Sequence, residues 1–199
     1  MQVLDKEKRS KILIAAAEQF SQRLFHKVLL SDVAEAAGVG KGTLYLYFKN
    51  KEDLYLSVLY SGFAELVDGM QQRMDENQQD PMGNLSVAIR EIVQFACRNP
   101  HMFDLMRTVS WRDIVGHANW NNKRMELKAL IESTIRSGIR CGLFVDGHPE
   151  LTTRYITGMV RSVLIDGTQH VDPQTLTDHM IHFVRKALEN KPSVISHGS

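Results

Sequence analysis

Cysteine, proline and long apolar runs are all scarce in this chain of 199 residues. The two cysteines, Cys97 and Cys141, do not form a CxxC pair, so we expect two structural thiols in a reduced compartment. No run approaches the roughly 18 apolar residues that a membrane span needs. Charged residues also interrupt the N-terminal segment, where a secretion signal would need an uninterrupted apolar stretch. These absences predict a cytoplasmic protein.

The scarcity of proline leaves room for long helices, because only five prolines occur and none precedes Pro81. Apolar residues recur at helical spacing along most of the chain, and no alternating strand or internal repeat is present. The sequence therefore predicts an all-α fold. The predicted landmarks in its second half are a loop at Pro81 and Gly83, a short helix from Pro100, a boundary at "HANWNNK" (117–123), a helix ending near Gly142, and two last helices near Pro149–Gln169 and Asp172–Asn190.

Charge is almost balanced over the whole chain, with a formal net charge of +1, but it is unevenly distributed. Residues 1–51 contain nine lysines and arginines against five acidic residues, whereas the remainder contains 15 against 18. The basic excess points to the N-terminal quarter as the region that would meet an anionic partner.

The stretch "AAGVGKGTLYLYF", residues 36–48, has two readings. A phosphate-binding loop requires GxxxxGK[ST] after a buried strand. Here Glu35 stands where its first glycine should be, Gly42 stands where Ser or Thr is needed, and the preceding "SDVAEAA" is helical in character. A nucleotide-binding loop is therefore disfavoured.

A helix-turn-helix explains the same letters better. A short helix from about Ser31 to Ala37 would end at Gly38, which suits a left-handed turn, and Val39 would fill the angle between two helices. Gly40 would be the N-cap of the second helix. Ser31 is predicted to supply a side-chain cap for the first helix of the motif, one turn later than its start.

The second helix of this motif has two different faces. Leu44 and Phe48 are four residues apart and are predicted to face the core, with Tyr47 at a small angular offset. The opposite arc centres on Gly42 and Leu46. Glycine permits close approach of the backbone to a phosphate, and leucine suits contact with a thymine methyl group. The predicted DNA-binding residues are Lys41, Gly42, Thr43, Tyr45, Leu46, Tyr47 and Lys51.

The segment "VAEAAGVGKGTLYLYFKNKEDL", from Val33 to Leu54, resembles the signature IAxxAGVSxGTLYxYFxxKExL of the TetR family of bacterial transcriptional regulators. The resemblance covers roughly residues 8–58. It implies a three-helix DNA-binding head over residues 1–50 and a helical ligand-binding and dimerising body over 51–190. Residues 191–199 have no periodic pattern and are predicted to form a disordered tail. It also implies a homodimer on a palindromic double-stranded DNA operator, released by a small-molecule effector. We expect a repressor whose effector is a small apolar or aromatic molecule, and we expect no cofactor.

Three positions depart from that family's usual pattern. Leu24 stands where glycine commonly ends the first of the three head helices. Val28 and Leu29 stand where threonine commonly begins the second head helix, which is the first helix of the helix-turn-helix. Gly40 replaces a common serine. The missing threonine removes a cap worth about 1 kcal/mol and a phosphate contact.

Methionine and aromatic residues are concentrated in the second part of the chain, where the resemblance implies an effector pocket and a dimer interface. The residues predicted to line an apolar pocket are Phe95, Met102, Phe103, Met106, Trp111, Trp120, Tyr155 and Met159. Those predicted at a four-helix dimer interface are Tyr155, Val163, Met180, Phe183 and Val184.

Three other hypotheses remain for this region. His179 and His182, with Asp178 alongside, have a spacing that could bind zinc, but three ligands so close on one helix are seldom well arranged, so we expect surface or interface histidines and no metal. A DNA-binding protein without a small ligand, controlled by a protein partner or by DNA, is the main alternative function. A helical enzyme is a lesser one, because no nucleophile or metal-hydrolase signature occurs.

Overall fold

The structure, a computed structural model, describes residues 5–76, 79–99, 117–165 and 172–189. Within them the chain forms eight α-helices and one short 3₁₀ turn, Phe25–Lys27. The helices are α1 Lys6–Gln22, α2 Leu30–Ala36, α3 Lys41–Tyr47, α4 Lys51–Glu76, α5 Pro81–Arg98, α6 His117–Arg140, α7 Pro149–Ile165 and α8 Pro173–Leu188.

The predicted all-α class is confirmed. The described residues contain a single isolated β-bridge, between Phe144 and Glu189, and no strand. None of the described helices combines the length and the apolar character that a bilayer span requires.

The described residues divide into two compact units. The first lies within Met1–Leu66 and Arg98–Lys123, and the second lies within Val67–Cys97 and Arg124–Ser199. The division falls inside α4, so this one helix contributes to both units. The functional boundary near residue 50 stays a prediction. The predicted tail over 191–199 and the short helix predicted from Pro100 lie outside the described residues.

The first unit has a core built from one face of each of its short helices. That face is formed by Ile12 in α1, Val33 in α2 and Leu44 in α3, all completely buried. Each such side chain contributes about 1.5–3 kcal/mol by leaving water. The buried residues of this core are Ile12, Ala15, Ala16, Val28, Val33, Ala34, Leu44, Phe48 and Leu54.

Aspartates cap several helix starts, which explains where these helices begin. Asp5 Oδ1 accepts a hydrogen bond from the Glu7 amide at 2.9 Å, and Asp172 Oδ2 accepts one from the Thr175 amide at 3.0 Å. Ser31 does not cap α2, contrary to the prediction, because α2 begins one residue earlier and the Ser31 hydroxyl donates to the Asp32 carboxylate.

In the second unit, the residues that follow α6 pack against the end of α6 and pair with the end of α8. The ring of Phe144 is buried and lies against Gly138, where any side chain would collide with it. The Val145 amide donates to the Leu188 carbonyl at 2.9 Å. Gly142, which ends α6 close to the predicted position, has the left-handed φ of 71° that favours glycine.

Two predicted boundaries are wrong. "HANWNNK" is helical from His117 onward, because this polar segment has no breaker even though it lacks an apolar period. Pro81 is the first residue of α5 and not part of a loop, and Gly83 is helical. Proline is well suited to that position because the first amides of a helix have no partner within it, and the Asp80 carboxylate accepts from the Gly83 amide at 2.8 Å.

Candidate nucleic-acid interface

The connection between α2 and α3 has the geometry of a helix-turn-helix. Gly38 has a φ of 66°, a left-handed conformation that costs glycine little and other residues more. Its amide donates to the Glu35 carbonyl at 3.0 Å, and the Val39 amide donates to the Ala34 carbonyl at 2.9 Å. Val39 packs against the core of the first unit. The predicted turn is therefore present.

Helix α3 shows the two faces that its sequence predicts. Leu44 is completely buried and Phe48 is 2% exposed, whereas Leu46 is 61% exposed and Tyr45 is 48% exposed. Lys41 and Gly42 are also exposed, and Thr43 is half-buried. The buried face fixes the helix to the head, and the exposed face places a cation, a phenol and an aliphatic side chain at the surface.

Gly40 is the N-cap of α3, as predicted, and offers no side chain to the helix amides. Its carbonyl accepts from the Leu44 amide at 3.1 Å. The serine that is usual here would add a side-chain cap, which is worth only about a few tenths of a kcal/mol relative to glycine.

Tyr47 has an internal partner as well as its predicted role at DNA. It is half-buried, and its hydroxyl oxygen accepts a hydrogen bond from the Asp5 amide at 3.1 Å. The start of α1 is thereby tied to the end of α3. The hydroxyl keeps its own proton for donation to a second acceptor.

Lys51, predicted as a phosphate contact, is turned toward the 3₁₀ turn. Its ammonium donates to the Val28 carbonyl at 3.1 Å and to the His26 carbonyl at 3.5 Å. The same nitrogen lies 4.7 Å from the centre of the Phe25 ring. These partners are 23 to 26 positions earlier in the chain, so no local pattern could indicate them.

Another cation, Arg23, holds α2, and no sequence pattern indicated it. The Arg23 guanidinium donates to the Asp32 carboxylate at 3.0 Å, which joins the end of α1 to the first turn of α2. Both side chains are partly exposed, so the pair contributes about 0–1 kcal/mol. Leu29, the N-cap of α2, makes no side-chain hydrogen bond to the helix and is 57% exposed.

Only half of the predicted pocket residues fall within the described part of the chain. Met102, Phe103, Met106 and Trp111 lie outside it. Trp120 is 3% exposed and packs in the first unit against Phe63, with ring centres 5.3 Å apart. The other three lie in the second unit, where Phe95 and Met159 are half-buried and Tyr155 is 62% exposed.

The second unit contains a cleft that the sequence did not predict. It lies between α4 and α6 and has a volume of about 330 Å³. Its lining mixes apolar side chains with two carboxylates, and consists of Val67, Asp68, Gln71, Glu126, Ala129, Leu130 and Ser133.

The predicted interface residues on α7 and α8 separate into two groups. Tyr155 and Phe183 are 62% and 55% exposed, and Val163 is half-exposed. Met180 and Val184 are only 3% and 2% exposed within their own chain, so they have almost no surface left to offer a partner. A periodic stripe could not show which of its residues the monomer itself covers.

The histidine pair considered for zinc lies at the surface. His179 and His182 are both exposed on α8. The described residues contain no cluster of three or more His, Cys, Asp or Glu side chains that could hold a metal ion.

The turn at Gly38 and the two-faced α3 define a helix-turn-helix DNA-binding protein. Residues 12–58 match the family described as bacterial regulatory proteins, tetR family, which identifies this part of the chain as a TetR-type DNA-binding domain. Members of this family regulate transcription and are not enzymes.

Two relatives from Bacillus subtilis (strain 168) agree with this assignment. The chain is 28% identical to the HTH-type transcriptional regulator YhgD over 198 residues, which is 92% of this chain and 97% of YhgD. It is 38% identical to a fatty acid metabolism regulator protein over 74 residues, which is 36% of this chain and 38% of that protein.

A solved structure has the same fold. The transcriptional regulator FadR from Bacillus subtilis, crystallised in complex with stearoyl-CoA, superposes with a TM-score of 0.65 at 21% identity. The match covers 90% of this chain and 98% of FadR.

Proposed function

We propose that this regulator is a ligand-responsive repressor that binds a palindromic operator as a homodimer and leaves it when a small apolar molecule binds its body. The observation that carries the DNA-binding half is the exposed face of α3. Such a regulator acts on chromosomal DNA and therefore in the bacterial cytoplasm.

In the proposed complex α3 enters the major groove. Lys41 and Tyr45 contact phosphates, and Thr43 and Tyr47 add hydroxyl groups at the edge of the same surface. The absence of a side chain at Gly42 lets the DNA backbone approach α3. Leu46, which is 61% exposed, contacts a thymine methyl group. This contact is apolar, since leucine has no group with which to hydrogen-bond a base.

The dimer proposal rests on the large exposed side chains of α7 and α8. Leu151 and Tyr155 are one turn apart on α7 and are 39% and 62% exposed, and Phe183 on α8 is 55% exposed. Pairing these helices with their copies would form a four-helix bundle and cover those side chains. A two-fold dimer presents its α3 helices to half-sites roughly 34–36 Å apart, or a multiple of that distance.

For the effector we propose a long acyl chain, free or as a thioester. The support is the similarity of fold to FadR, which was crystallised with stearoyl-CoA, and the match to a fatty acid metabolism regulator. An effector that binds only the form unable to span two half-sites shifts the population away from DNA. Which of the pocket residues predicted from the sequence line the effector site stays a prediction.

The DNA-binding half can be tested with a salt titration. Binding is measured with a duplex that the wild-type protein selects from random-sequence DNA. Lys41→Ala should weaken binding and lower the slope of log K against log salt concentration by about one, since one phosphate contact is lost. The control is Lys128→Ala in α6, which should change neither. Wild-type affinity and slope in Lys41→Ala would contradict the proposed interface.

The effector half can be tested by thermal denaturation with acyl-CoAs and free fatty acids of increasing chain length. A ligand at a hundredfold excess over its Kd stabilises the folded form by about 2.7 kcal/mol. The same compound must weaken DNA binding, and DNA must weaken the compound by the same factor. If compounds raise the Tm without changing DNA affinity, control by a protein partner becomes the better hypothesis.

A further inference from the structure

The ammonium of Lys51 is held by neighbouring groups of the protein. Two backbone carbonyls accept from it, and the face of Phe25 lies 4.7 Å away. Phe25 is itself held by Tyr55, one turn after Lys51 on α4, with ring centres 5.2 Å apart. Tyr55 is 4% exposed. The first two turns of α4 therefore hold the 3₁₀ turn through the Lys51 ammonium and the Tyr55 ring.

The backbone that Lys51 contacts lies directly before α2. Val28 is the C-cap of the 3₁₀ turn, and the next residue, Leu29, is the N-cap of α2. Leu29 has no side-chain hydrogen bond to the helix amides, so this helix start has no cap of its own. A charge-assisted bond to the Val28 carbonyl, one residue before the cap, fixes the backbone where the local sequence does not.

We propose that Lys51 is a positioning residue for operator binding: it holds the entry to α2, and through α2 the orientation of α3, rather than binding a phosphate. The inference rests on the proposed operator binding. It replaces the phosphate contact that the sequence indicates for Lys51. Lysine can supply three donors, and the carbonyls of Val28 and His26 take two of them.

A phosphate contact and a positioning role make different predictions for salt dependence. Removing a phosphate contact lowers the salt slope by about one, whereas loosening α2 weakens binding at every salt concentration and leaves the slope unchanged. The exposed Lys41 on α3 provides the matched control on the same head.

The experiment compares Lys51→Met with Lys41→Met on the duplex selected by the wild-type protein. Affinities are referred to the concentration of DNA-competent protein. Lys51→Met should bind about tenfold more weakly, because a hydrogen bond from a charged donor is lost, with an unchanged salt slope. Lys41→Met should lower the slope by about one. Lys51→Gln, which keeps one donor, repeats the comparison with a smaller change.

Rescue distinguishes positioning from loss of stability. Leu29→Ser supplies the missing cap of α2. It should therefore raise the DNA affinity of Lys51→Met about threefold, and raise that of the wild-type protein by a smaller factor. Hydrogen exchange of the α2 amides should be faster in Lys51→Met and return toward wild type in the double variant.

Two results would overturn the proposal. A slope lowered by about one in Lys51→Met would make Lys51 a phosphate ligand. A lower Tm with wild-type affinity per competent molecule would make its contacts purely stabilising. Neither result touches the proposed operator binding, which would fail separately if the wild-type protein selected no duplex.

Discussion

The exposed face of α3 and the exposed faces of α7 and α8 differ in chemistry. The α3 face combines Lys41 with Tyr45 and Leu46, a mixture of charge and apolar surface that suits a polyanion with methyl groups in its groove. On α7 and α8 the large exposed side chains include Leu151, Tyr155 and Phe183, which suit another protein surface. The difference is consistent with the two proposed partners, an operator at α3 and a second copy of the chain at α7 and α8.

The sharpest way to break this contrast is a pair of adjacent substitutions on α8. Val184→Glu should unfold the second unit, because it places an unpaired charge in a core position that is 2% exposed. Phe183→Glu should leave the helices intact and yield a monomer, because Phe183 faces outward. Circular dichroism and light scattering distinguish these results. A folded dimer in Phe183→Glu would move the interface away from this face of α8.

A second pair tests the two faces of α3. Leu44→Ala should destabilise the head by about 2–5 kcal/mol, because it leaves a cavity in the core. Leu46→Ala, two residues away, should change the stability by no more than about 0.5 kcal/mol. Urea denaturation of both variants measures the difference. Equal losses of stability would show that the exposed face of α3 is covered in the free protein.

A smaller change in stability is expected where Phe144 packs against Gly138 in the second unit. Gly138→Ala should cost about 1–3 kcal/mol, because the new methyl group would overlap the buried Phe144 ring. Gly69→Ala in α4 is the matched control: nothing lies near its new methyl group, so it should stabilise that helix by up to about 1 kcal/mol. Thermal denaturation compares the two. If both variants are equally stable, Phe144 does not close this unit.

Local patterns were sufficient to predict the α2–α3 motif. The left-handed turn at Gly38 and the buried pair Leu44 and Phe48 follow from residue type and helical period, which depend on neighbours within a few positions. The partners of Lys51 and Arg23 could not be predicted in the same way. Their contacts join different elements, and a lysine or arginine gives no indication of which distant acceptor it will meet.

The second unit was less predictable for a related reason. The period of α8 identifies an apolar stripe, but only packing decides that Met180 and Val184 are covered by their own chain while Phe183 is not. The number of aromatic and methionine residues predicts an effector pocket, and that pocket stays a prediction. Composition alone does not show which residues meet.

The most direct test of the central claim is selection of binding sites from random-sequence DNA by the wild-type protein and by Leu46→Ala. We predict that the wild type selects an inverted repeat, and that Leu46→Ala selects the same repeat with a preference relaxed at one T·A pair in each half-site, by about 1 kcal/mol or less. An unchanged preference at every position would remove Leu46 from the interface. A selected sequence without two-fold symmetry would contradict the operator-binding homodimer itself.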